Sequence, residues 1–387
     1  MRNSNNVTLT AGLLACALSI TACSGGQQAA APGAPEASGP LRLKGVCPDT
    51  VVLQTDWAPE AEHGGSYHLL GKKHTIDAGH KRVTGPLVAS GTDTGVDIEI
   101  RAGGPAVGFQ TVSSQMYLDP EITLGQVITD EAVSLSASQP TLAVVAPLDI
   151  SPQVIMWDPA SHPRVDTIAD LGRTDTKVLY FKAATFMEYL VGSKILQEDQ
   201  IDGSYDGSPA SFIASDGKIA QQAFATNEPY VYQKEISQWR KPVDFQLLHE
   251  TGYPVYPQSL SIRADQKKKL TPCLKKLVPI IQQAQVDYLK QPDATNELLV
   301  DLVEEYNIGF TYSRKQAEFS VKQQLKLNIA GNGPDRTLGN FEKSRLQRVI
   351  DIVSPVVAER KKDVRPDLAT GEIATNEFID PAIGYTR

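Results

Sequence analysis

Apolar and polar positions follow two different periods along the chain, and the change of period divides the chain into two parts. In the first part, short apolar or β-branched runs such as residues 51–53 and 141–146 are separated by turn residues, which predicts strands that alternate with short helices. Later the period becomes helical, because Leu270, Leu274 and Leu277 fall on one face of a helix. The pattern therefore predicts an α/β body followed by a mainly helical C-terminal region.

Local patterns assign most of the elements. Strands are predicted at residues 51–55, 97–101, 123–128, 141–146, 153–157, 177–181, 210–213 and 245–248. Helices are predicted at residues 66–70, 107–117, 166–172, 186–196, 218–224, 319–329 and 341–353, in addition to the amphipathic stretch from Leu270. Thr185 and Glu188 have the spacing of a capping box at the start of the helix 186–196.

Two extended segments punctuated by proline, residues 147–153 and 253–259, predict that the chain crosses between two lobes twice. The predicted organisation is a first part of lobe 1 at residues 46–148, lobe 2 at residues 149–256, and a return to lobe 1 with a helical C-terminal extension at residues 257–387. Such a two-lobed clamp holds a ligand between its lobes and bends at a hinge of two extended strands.

The N-terminal residues are predicted to be an export signal and a tether. Residues 1–22 carry one charge and a short apolar core, and Ile20-Thr-Ala-Cys23 resembles the lipobox of a bacterial lipoprotein. This resemblance implies cleavage before Cys23 and lipidation of that cysteine; an ordinary signal peptide with an incidental cysteine is the alternative. Residues 23–45 are rich in small residues, Gln and Pro, which predicts a flexible tether. We therefore expect an exported protein, lipid-anchored to the outer face of the bacterial cell membrane.

Charge and cysteine content narrow the class of protein further. The formal net charge is −8, and no basic face is evident, which argues against nucleic acid as a partner. Once Cys16 in the signal and the lipidated Cys23 are set aside, Cys47 and Cys273 remain. A pair of cysteines in an exported protein favours a disulfide, with two unrelated buried thiols as the alternative.

The first candidate site is the loop that follows the opening strand. Asp56, Trp57, Glu62 and His63 lie in this loop, and Gly64 follows them before a predicted helix. A strand that ends in a loop with an aromatic ring, carboxylates and a histidine is typical of a ligand-binding edge in an α/β sheet. An ordinary surface loop with one half-buried Trp is the alternative.

Three further segments are predicted to contribute to the same ligand site. The first is the glycine turn after the strand 97–101, where backbone N–H groups can approach a ligand. The second is the start of the helix 186–196, whose free N–H groups can receive an anionic or carbonyl group. The third is a loop that combines a carboxylate with aromatic rings. Their candidate ligand-binding residues are Gly103, Gly104, Lys182, Thr185, Asn227, Glu228 and Tyr230.

These motifs resemble those of the substrate-binding proteins of ABC importers. The strand followed by Asp56-Trp57-x-Pro59-x-x-x-His63-Gly64 looks like the opening motif of the nitrate/sulfonate/taurine group and, more narrowly, of its branch that binds thiamine-pyrimidine precursors. Gly103-Gly-Pro105, residues 151–156, residues 166–172 and Asn227-Glu-Pro-Tyr230 follow in the family's order. The resemblance extends from about residue 50 to about residue 310.

The resemblance implies a two-lobed α/β fold of the type II periplasmic-binding-protein class, and a monomer that delivers a small molecule to ABC permease and ATPase subunits. It also implies a heteroaromatic ligand similar to a thiamine pyrimidine precursor, with no catalytic residue and no cofactor. The carboxylates argue against nitrate and sulfonate, because those anions need hydrogen-bond donors only. Ala58 and Ala61 stand where many relatives carry larger residues, which leaves the size of the ring open.

Several alternatives stay open. The same fold can bind nitrate, an alkyl sulfonate such as taurine, or a larger flavin-like or purine-like ligand, and an anchored enzyme or a ligand-sensing receptor can use the same clamp. The sequence contains no nucleophile elbow, zinc-protease motif or phosphate-binding loop. His63, His68, His74 and His80 lie close together, but their spacings of five and six residues do not place them on one helical face, and no metal site is expected.

Overall fold

The computed structural model describes residues 37–182, 184–359 and 364–386. The predicted signal peptide, the lipidation of Cys23 and most of the predicted tether lie outside these residues. The strands within the described residues are β1 Thr50–Gln54, β2 Thr75–Asp77, β3 Arg82–Ala89, β4 Thr92–Arg101, β5 Ile122–Val127, β6 Thr141–Val145, β7 Gln153–Trp157, β8 Val178–Leu179, β9 Ile201–Asp202, β10 Ala220–Phe224, β11 Asp244–Leu247 and β12 Ser259–Arg263.

The helices are short in the first two thirds of the chain and long after β12. They are α1 Gly64–Tyr67, α2 Val112–Leu118, α3 Thr129–Ser134, α4 Ile168–Leu171, α5 Thr185–Gly192, α6 Ala210–Ala214, α7 Glu228–Tyr230, α8 Lys267–Lys290, α9 Asp293–Tyr306, α10 Arg314–Lys326, α11 Lys343–Glu359 and α12 Thr370–Ile373. A 3-10 turn, Ala61–His63, leads into α1. The predicted α/β body with a helical C-terminal region is therefore present.

The first sheet has seven strands in the order β2-β3-β4-β1-β5-β12-β6. Its central strand β1 is parallel to β4 and β5, and its apolar run is buried over almost its whole length, as expected for a strand with both faces covered. Because parallel neighbours end at the same edge of a sheet, the loops that follow Gln54 and Arg101 lie side by side.

The second sheet has five strands in the order β11-β7-β10-β8-β9. Its strand β10 is antiparallel to β7 and parallel to β8. All five strands lie between β6 and β12 along the chain, and β12 then pairs with β5 and β6 of the first sheet. The chain thus leaves the first sheet after Val145 and returns to it at Ser259, and the proline-rich segments 147–153 and 253–259 lie next to these two connections.

The helix α11 packs against both parts of the structure. It contacts α3, which follows β5 of the first sheet, and α5, which follows β8 of the second sheet. Leu346, Val349 and Val353 of α11 are buried in a core cluster that includes residues from both sheets. The C-terminal extension therefore bridges the two sheets beside the hinge.

Cys47 and Cys273 form a disulfide with a sequence separation of 226 residues. Cys47 lies just before β1, and Cys273 lies in α8. The bond joins the segment that enters the first sheet to the long helix that follows the return strand β12.

Two short predictions in the second sheet are wrong, and they are wrong in opposite senses. Residues 210–213 are not a strand but belong to α6, which follows Pro209. Residues 218–224 are not a helix, because Ala220–Phe224 form β10. The composition of Ala-Gln-Gln-Ala-Phe favours a helix, but pairing with β7 and β8 on both sides outweighs this weak local preference.

The capping box predicted for the helix after residue 185 is also absent. Thr185 is the first residue of α5 and not its cap; the capping position belongs to Ala184, whose side chain forms no capping hydrogen bond. The helix ends at Gly192, four residues before the predicted end.

The hairpin of β3 and β4 was not predicted as a whole. Its first strand alternates strictly between partly exposed and buried positions, and its turn, Ser90–Gly91, has positive φ at both residues, as a two-residue hairpin turn requires. In the sequence, only the Ser-Gly dipeptide at residues 90–91, between two runs that can form strands, indicates this turn.

No helix in the described part of the chain has the length and apolar character needed to cross a membrane.

Candidate functional site

A cavity of about 580 Å³ opens between the loops that follow strands of both sheets. Asp56, Trp57 and Glu60 come from the loop after β1 of the first sheet. The remaining lining residues come from the second sheet with its connecting segments, from the segment before α10, and from α10 itself. They include Gln153, Phe181, Tyr205, Asp206, Gln222, Phe224, Asn227, Glu228, Tyr232, Phe310 and Gln316. Its volume suits a small organic molecule.

The loop after β1 is held in place by the loop after β4. The backbone N–H of Gly103 donates to the carbonyl of Trp57 at 2.9 Å, and a side chain at Gly103 would meet the carbonyl oxygen of Thr55 at 2.2 Å. Gly104 has φ +56°, and a Cβ there would lie 2.6 Å from the indole ring of Trp57. Gly103 and Gly104 therefore position Trp57, and the N–H of Gly103 already has a partner within the protein.

Four aromatic rings contact one another in sequence, and three of them, Trp57, Phe181 and Tyr205, line the cavity. Trp57 lies 5.8 Å from Phe109 and 6.3 Å from Phe181, measured between ring centroids. Phe181 lies 4.9 Å from Tyr205. Trp57 and Phe109 follow strands of the first sheet, whereas Phe181 and Tyr205 follow strands of the second, so this aromatic set joins the two sides of the cleft.

Three carboxyl groups, Glu60, Glu62 and Glu228, form an acidic cluster at the inner side of the cavity. Glu60 and Glu62 are each 2% exposed, and each has one oxygen without a hydrogen-bond partner. Burial, together with repulsion from Glu62, Asp56 and Glu228, raises the pKa of Glu60 well above its usual value. Burial also raises the pKa of Glu62, and it raises the pKa of Glu228 to about 7. Burial therefore favours the protonated, neutral form of these carboxyl groups.

His63 does not line the cavity but holds Asp56. The Nε2 atom of His63, which is buried, lies 2.8 Å from Oδ1 of Asp56. Gln258, in the hinge segment before β12, donates to the same oxygen of Asp56 at 3.3 Å and lies 3.1 Å from Nε2 of His63. This triad connects the loop after β1 to one of the two hinge connections.

The polar residues on the second side are fixed by local hydrogen bonds. Oε2 of Glu228 accepts from the backbone N–H of Phe224 at 2.7 Å, and Oε1 of Gln222 accepts from the N–H of Phe181 at 3.0 Å. Asn227 accepts a hydrogen bond from the side chain of Gln316 in α10. These hydrogen bonds hold the carboxyl group of Glu228 and the backbone of Phe181 in place at the cavity.

The structure brings together four of the predicted site residues as lining residues, namely Asp56, Trp57, Asn227 and Glu228. The others lie behind or beside the cavity. Gly64 packs directly against the ring of Tyr288, where a Cβ would approach to 2.0 Å. The remaining residues that do not line the cavity are Glu62, His63, Gly103, Gly104, Lys182, Thr185 and Tyr230.

Three of the residues that do not line the cavity are Lys182, Thr185 and Tyr230. Lys182 is exposed, and Thr185 begins α5 without capping it. Tyr230 turns to α10, where its ring lies 5.3 Å from that of Phe319. The backbone N–H of Tyr230 donates to the carbonyl of the lining residue Asn227 at 3.1 Å, and a direct role of the three residues in ligand binding stays a prediction.

Sequence reasoning missed Glu60, Phe181 and Tyr205. Glu60 shares the loop of Asp56 and Trp57, and its place next to Pro59 gave no sign that it, and not Glu62, faces the cavity. Phe181 could have been found, because it ends the strand predicted at residues 177–181 and so lies at the ligand-binding edge of the second sheet. Tyr205 lies in a loop that carries no local signal.

The carboxyl groups do not form a metal site. Within the described residues no group of three or more His, Cys, Asp or Glu side chains has an arrangement that could hold a metal ion. The described lining offers aromatic faces, carboxyl groups, side-chain amides and hydroxyl groups.

Comparison with known proteins defines the class of fold. No protein-family model matches the sequence, and no curated protein matches it. Solved structures do match, and they place the chain in the two-lobed periplasmic-binding-protein fold, with the predicted helical C-terminal region present. The predicted fold class is confirmed.

Three solved structures illustrate the similarity. A protein from Bordetella bronchiseptica RB50 has a TM-score of 0.53 at 14% identity and covers 86% of this chain and 96% of its own. The periplasmic aliphatic sulphonate binding protein SsuA from Escherichia coli has a TM-score of 0.53 at 13% identity and covers 81% of this chain and 89% of its own. A putative periplasmic sulfonate-binding protein SsuA from Methylobacillus flagellatus KT has a TM-score of 0.52 at 14% identity, with 85% and 92% covered. At these identities the likeness shows the fold alone.

Proposed function

We propose that this protein is the extracytoplasmic substrate-binding component of an ABC importer and clamps a small heteroaromatic ligand between its two lobes. The ligand resembles a thiamine pyrimidine precursor, with a flat ring and amino groups. The protein acts as a monomer, is attached to the membrane through Cys23, delivers its ligand to a permease with an ATPase, and catalyses no reaction.

The observation that carries this proposal is the composition of the cavity. Trp57 and Glu60 on one side face Phe181, Tyr205 and Glu228 on the other. Aromatic rings offer faces for a flat heterocycle, and carboxyl oxygens accept hydrogen bonds from its amino groups. Because these residues come from both sheets, a ligand that contacts all of them holds the two lobes together, as a clamp requires.

The fold comparisons support transport but not a particular ligand. The SsuA protein from E. coli binds aliphatic sulphonates, and another matching structure, at a TM-score of 0.50 and 12% identity, is the ligand-binding component of an ABC-type import system from Staphylococcus aureus. A sulfonate carries oxygens that need donors, whereas the described residues that line this cavity include no Lys, Arg or His. This chain therefore combines a fold shared with a sulfonate-binding protein with a cavity whose described lining carries carboxyl groups and no basic side chain.

A thermal-shift screen tests the proposal directly. The purified chain without its signal is heated with aminopyrimidines, flavins, purines, nitrate and taurine, and aminopyrimidines are expected to raise the unfolding temperature. The variant Trp57→Ala is expected to lose most of this shift. Tyr230→Ala serves as the matched control, because it removes an aromatic ring close to Glu228 that does not line the cavity.

Stabilisation by nitrate or taurine alone contradicts the heterocycle and favours the oxyanion alternative. A Trp57→Ala variant that binds as tightly as the parent chain contradicts the stacking role. Conversion of a bound compound to a product, measured by mass spectrometry, would move the protein to the class of enzymes.

A further inference from the structure

The charges around the cavity are one-sided. Four of the described lining residues carry carboxyl groups, namely Asp56, Glu60, Asp206 and Glu228, and none of them carries a basic group. Glu62 lies directly behind this lining and is also buried. A neutral heterocycle with amino groups can donate hydrogen bonds to these carboxyl groups, but only a cationic one also supplies a positive charge that stabilises their ionised form.

Glu60 is a buried carboxyl group of the cavity lining with an incomplete set of hydrogen bonds. It is 2% exposed, lines the cavity, and has one carboxyl oxygen without a hydrogen-bond partner. Its neighbours Asp56, Glu62 and Glu228 all add negative potential. A buried carboxylate needs a positive partner or a proton, and the described lining provides no positive partner.

Building on the proposed importer function, we propose that the ligand binds as a cation, a protonated or N-alkylated nitrogen heterocycle whose positive pole lies against Glu60 and Glu228. The faces of Trp57, Phe181 and Tyr205 suit such a ring, because a cation is attracted to the negative face of an aromatic system. A metal ion is not the cation, since the carboxyl groups in the described part of the chain do not form a metal site.

Cation binding is coupled to proton release. In the empty site, burial favours the protonated form of Glu60 and Glu228, and an incoming cation favours the charged form, so a proton leaves to the solvent when the cation binds. Affinity for a fixed cation therefore rises with pH through the region near 7. Helix α10 faces the cluster with the uncharged Gln316, Ala317 and Ser320. The titratable groups that face the cluster from the neighbouring elements are Asp56, Glu62, His63, Tyr67, Tyr205, Tyr232, Tyr288 and Tyr312.

The test compares two rings of nearly equal shape, 4-aminopyrimidine and its N1-methylated cation, 4-amino-1-methylpyrimidinium. Isothermal titration calorimetry is performed from pH 5.5 to pH 8 in buffers of different ionisation enthalpy. At pH 8 the cation is expected to bind at least about tenfold more tightly than the neutral ring. Its affinity is expected to fall as the pH falls, and its binding near and below pH 7 is expected to release a proton. Glu60→Gln and Glu228→Gln are expected to reduce both the preference and the proton release.

Glu198→Gln is the matched control, because Glu198 is an exposed carboxylate that does not line the cavity, and this variant should keep the preference. Equal or tighter binding of the neutral ring overturns the cation inference and leaves the proposed function in place. A preference that persists unchanged in both Glu60→Gln and Glu228→Gln also overturns it. If neither ring binds, whether or not taurine does, the cation inference and the heterocycle function both fail.

Discussion

Arg345 of α11 is predicted to stabilise the two connections between the sheets. Its guanidinium donates to the carbonyl of Pro254 at 2.6 Å, to that of Val255 at 2.9 Å, and to both Oδ1 and the carbonyl of Asp149 at 2.7 and 2.5 Å. It also lies 3.6 Å from the ring centroid of Tyr256. Asp149 belongs to one connection between the sheets, and residues 254–256 belong to the other.

The cost of removing this side chain follows from its surroundings. The side chains of Arg345 and Asp149 are 10% and 19% exposed, so solvent screens the pair only in part. Removal of one partner of such a pair costs about 3–5 kcal/mol, because the carboxylate and three carbonyls lose their donor. We expect Arg345→Ala to lower the free energy of unfolding by about 4 kcal/mol. Arg345→Lys keeps the charge without the planar fork and is expected to lose about half as much.

Urea unfolding monitored by circular dichroism measures these differences. Arg348→Ala is the matched control, since Arg348 lies on the same helix but is exposed, and it should change the free energy of unfolding by less than about 0.5 kcal/mol. A loss for Arg345→Ala that does not exceed that of Arg348→Ala by more than about 1 kcal/mol would refute the view that α11 fixes the two connections.

Three further predictions concern the site and the disulfide. Glu228→Gln should leave the free energy of unfolding unchanged near pH 4 and increase it by up to about 3 kcal/mol at pH 8. The sign follows because the folded state raises the pKa of Glu228 to about 7. The stability of the parent protein therefore includes the full contribution of this group below its unfolded pKa, and that contribution is lost as the pH rises through 7. Parallel pH profiles of unfolding free energy for the two proteins would contradict this prediction. Cys47→Ser combined with Cys273→Ser should lower the free energy of unfolding by about 2–5 kcal/mol because it opens a loop of 226 residues, and a reductant should then have no further effect in urea unfolding. Gly104→Ala should displace Trp57 and weaken ligand binding measured by calorimetry, whereas Gly108→Ala, which has a similar φ of +63° and open space around it, should cost only stability.

The long helices were predictable because their signal is carried by many residues. In α8, Leu270, Leu274 and Leu277 repeat the helical period and are all buried in the structure. The elements of the second sheet are only two to five residues long, and no period can be established over such a length. That is why α6 was predicted as a strand and β10 as a helix, whereas the apolar run of β7 was correctly predicted as a strand.

The candidate site was predictable at the ends of strands and not elsewhere. Asp56 and Trp57 follow β1, and a loop after a strand of an α/β sheet is where ligands bind. The approach of Phe181 to Tyr205, and of both to Trp57, depends on the distance between two sheets, which no local pattern contains. Gly103 and Gly104 were predicted to offer backbone N–H groups to a ligand, which stays a prediction, whereas the structure shows that they leave space for the loop that carries Trp57.

The acidic cluster predicts different pH dependences for anionic and cationic ligands of this protein. A sulfonate placed in the cavity would face Glu60 and Glu228, and each would have to stay protonated for the complex to form. Since the pKa of Glu228 is about 7, this requirement weakens anion binding as the pH rises and strengthens cation binding over the same range. Opposite pH dependences for taurine and for a pyridinium-like ring therefore distinguish the two ligand classes in one protein, without any substitution.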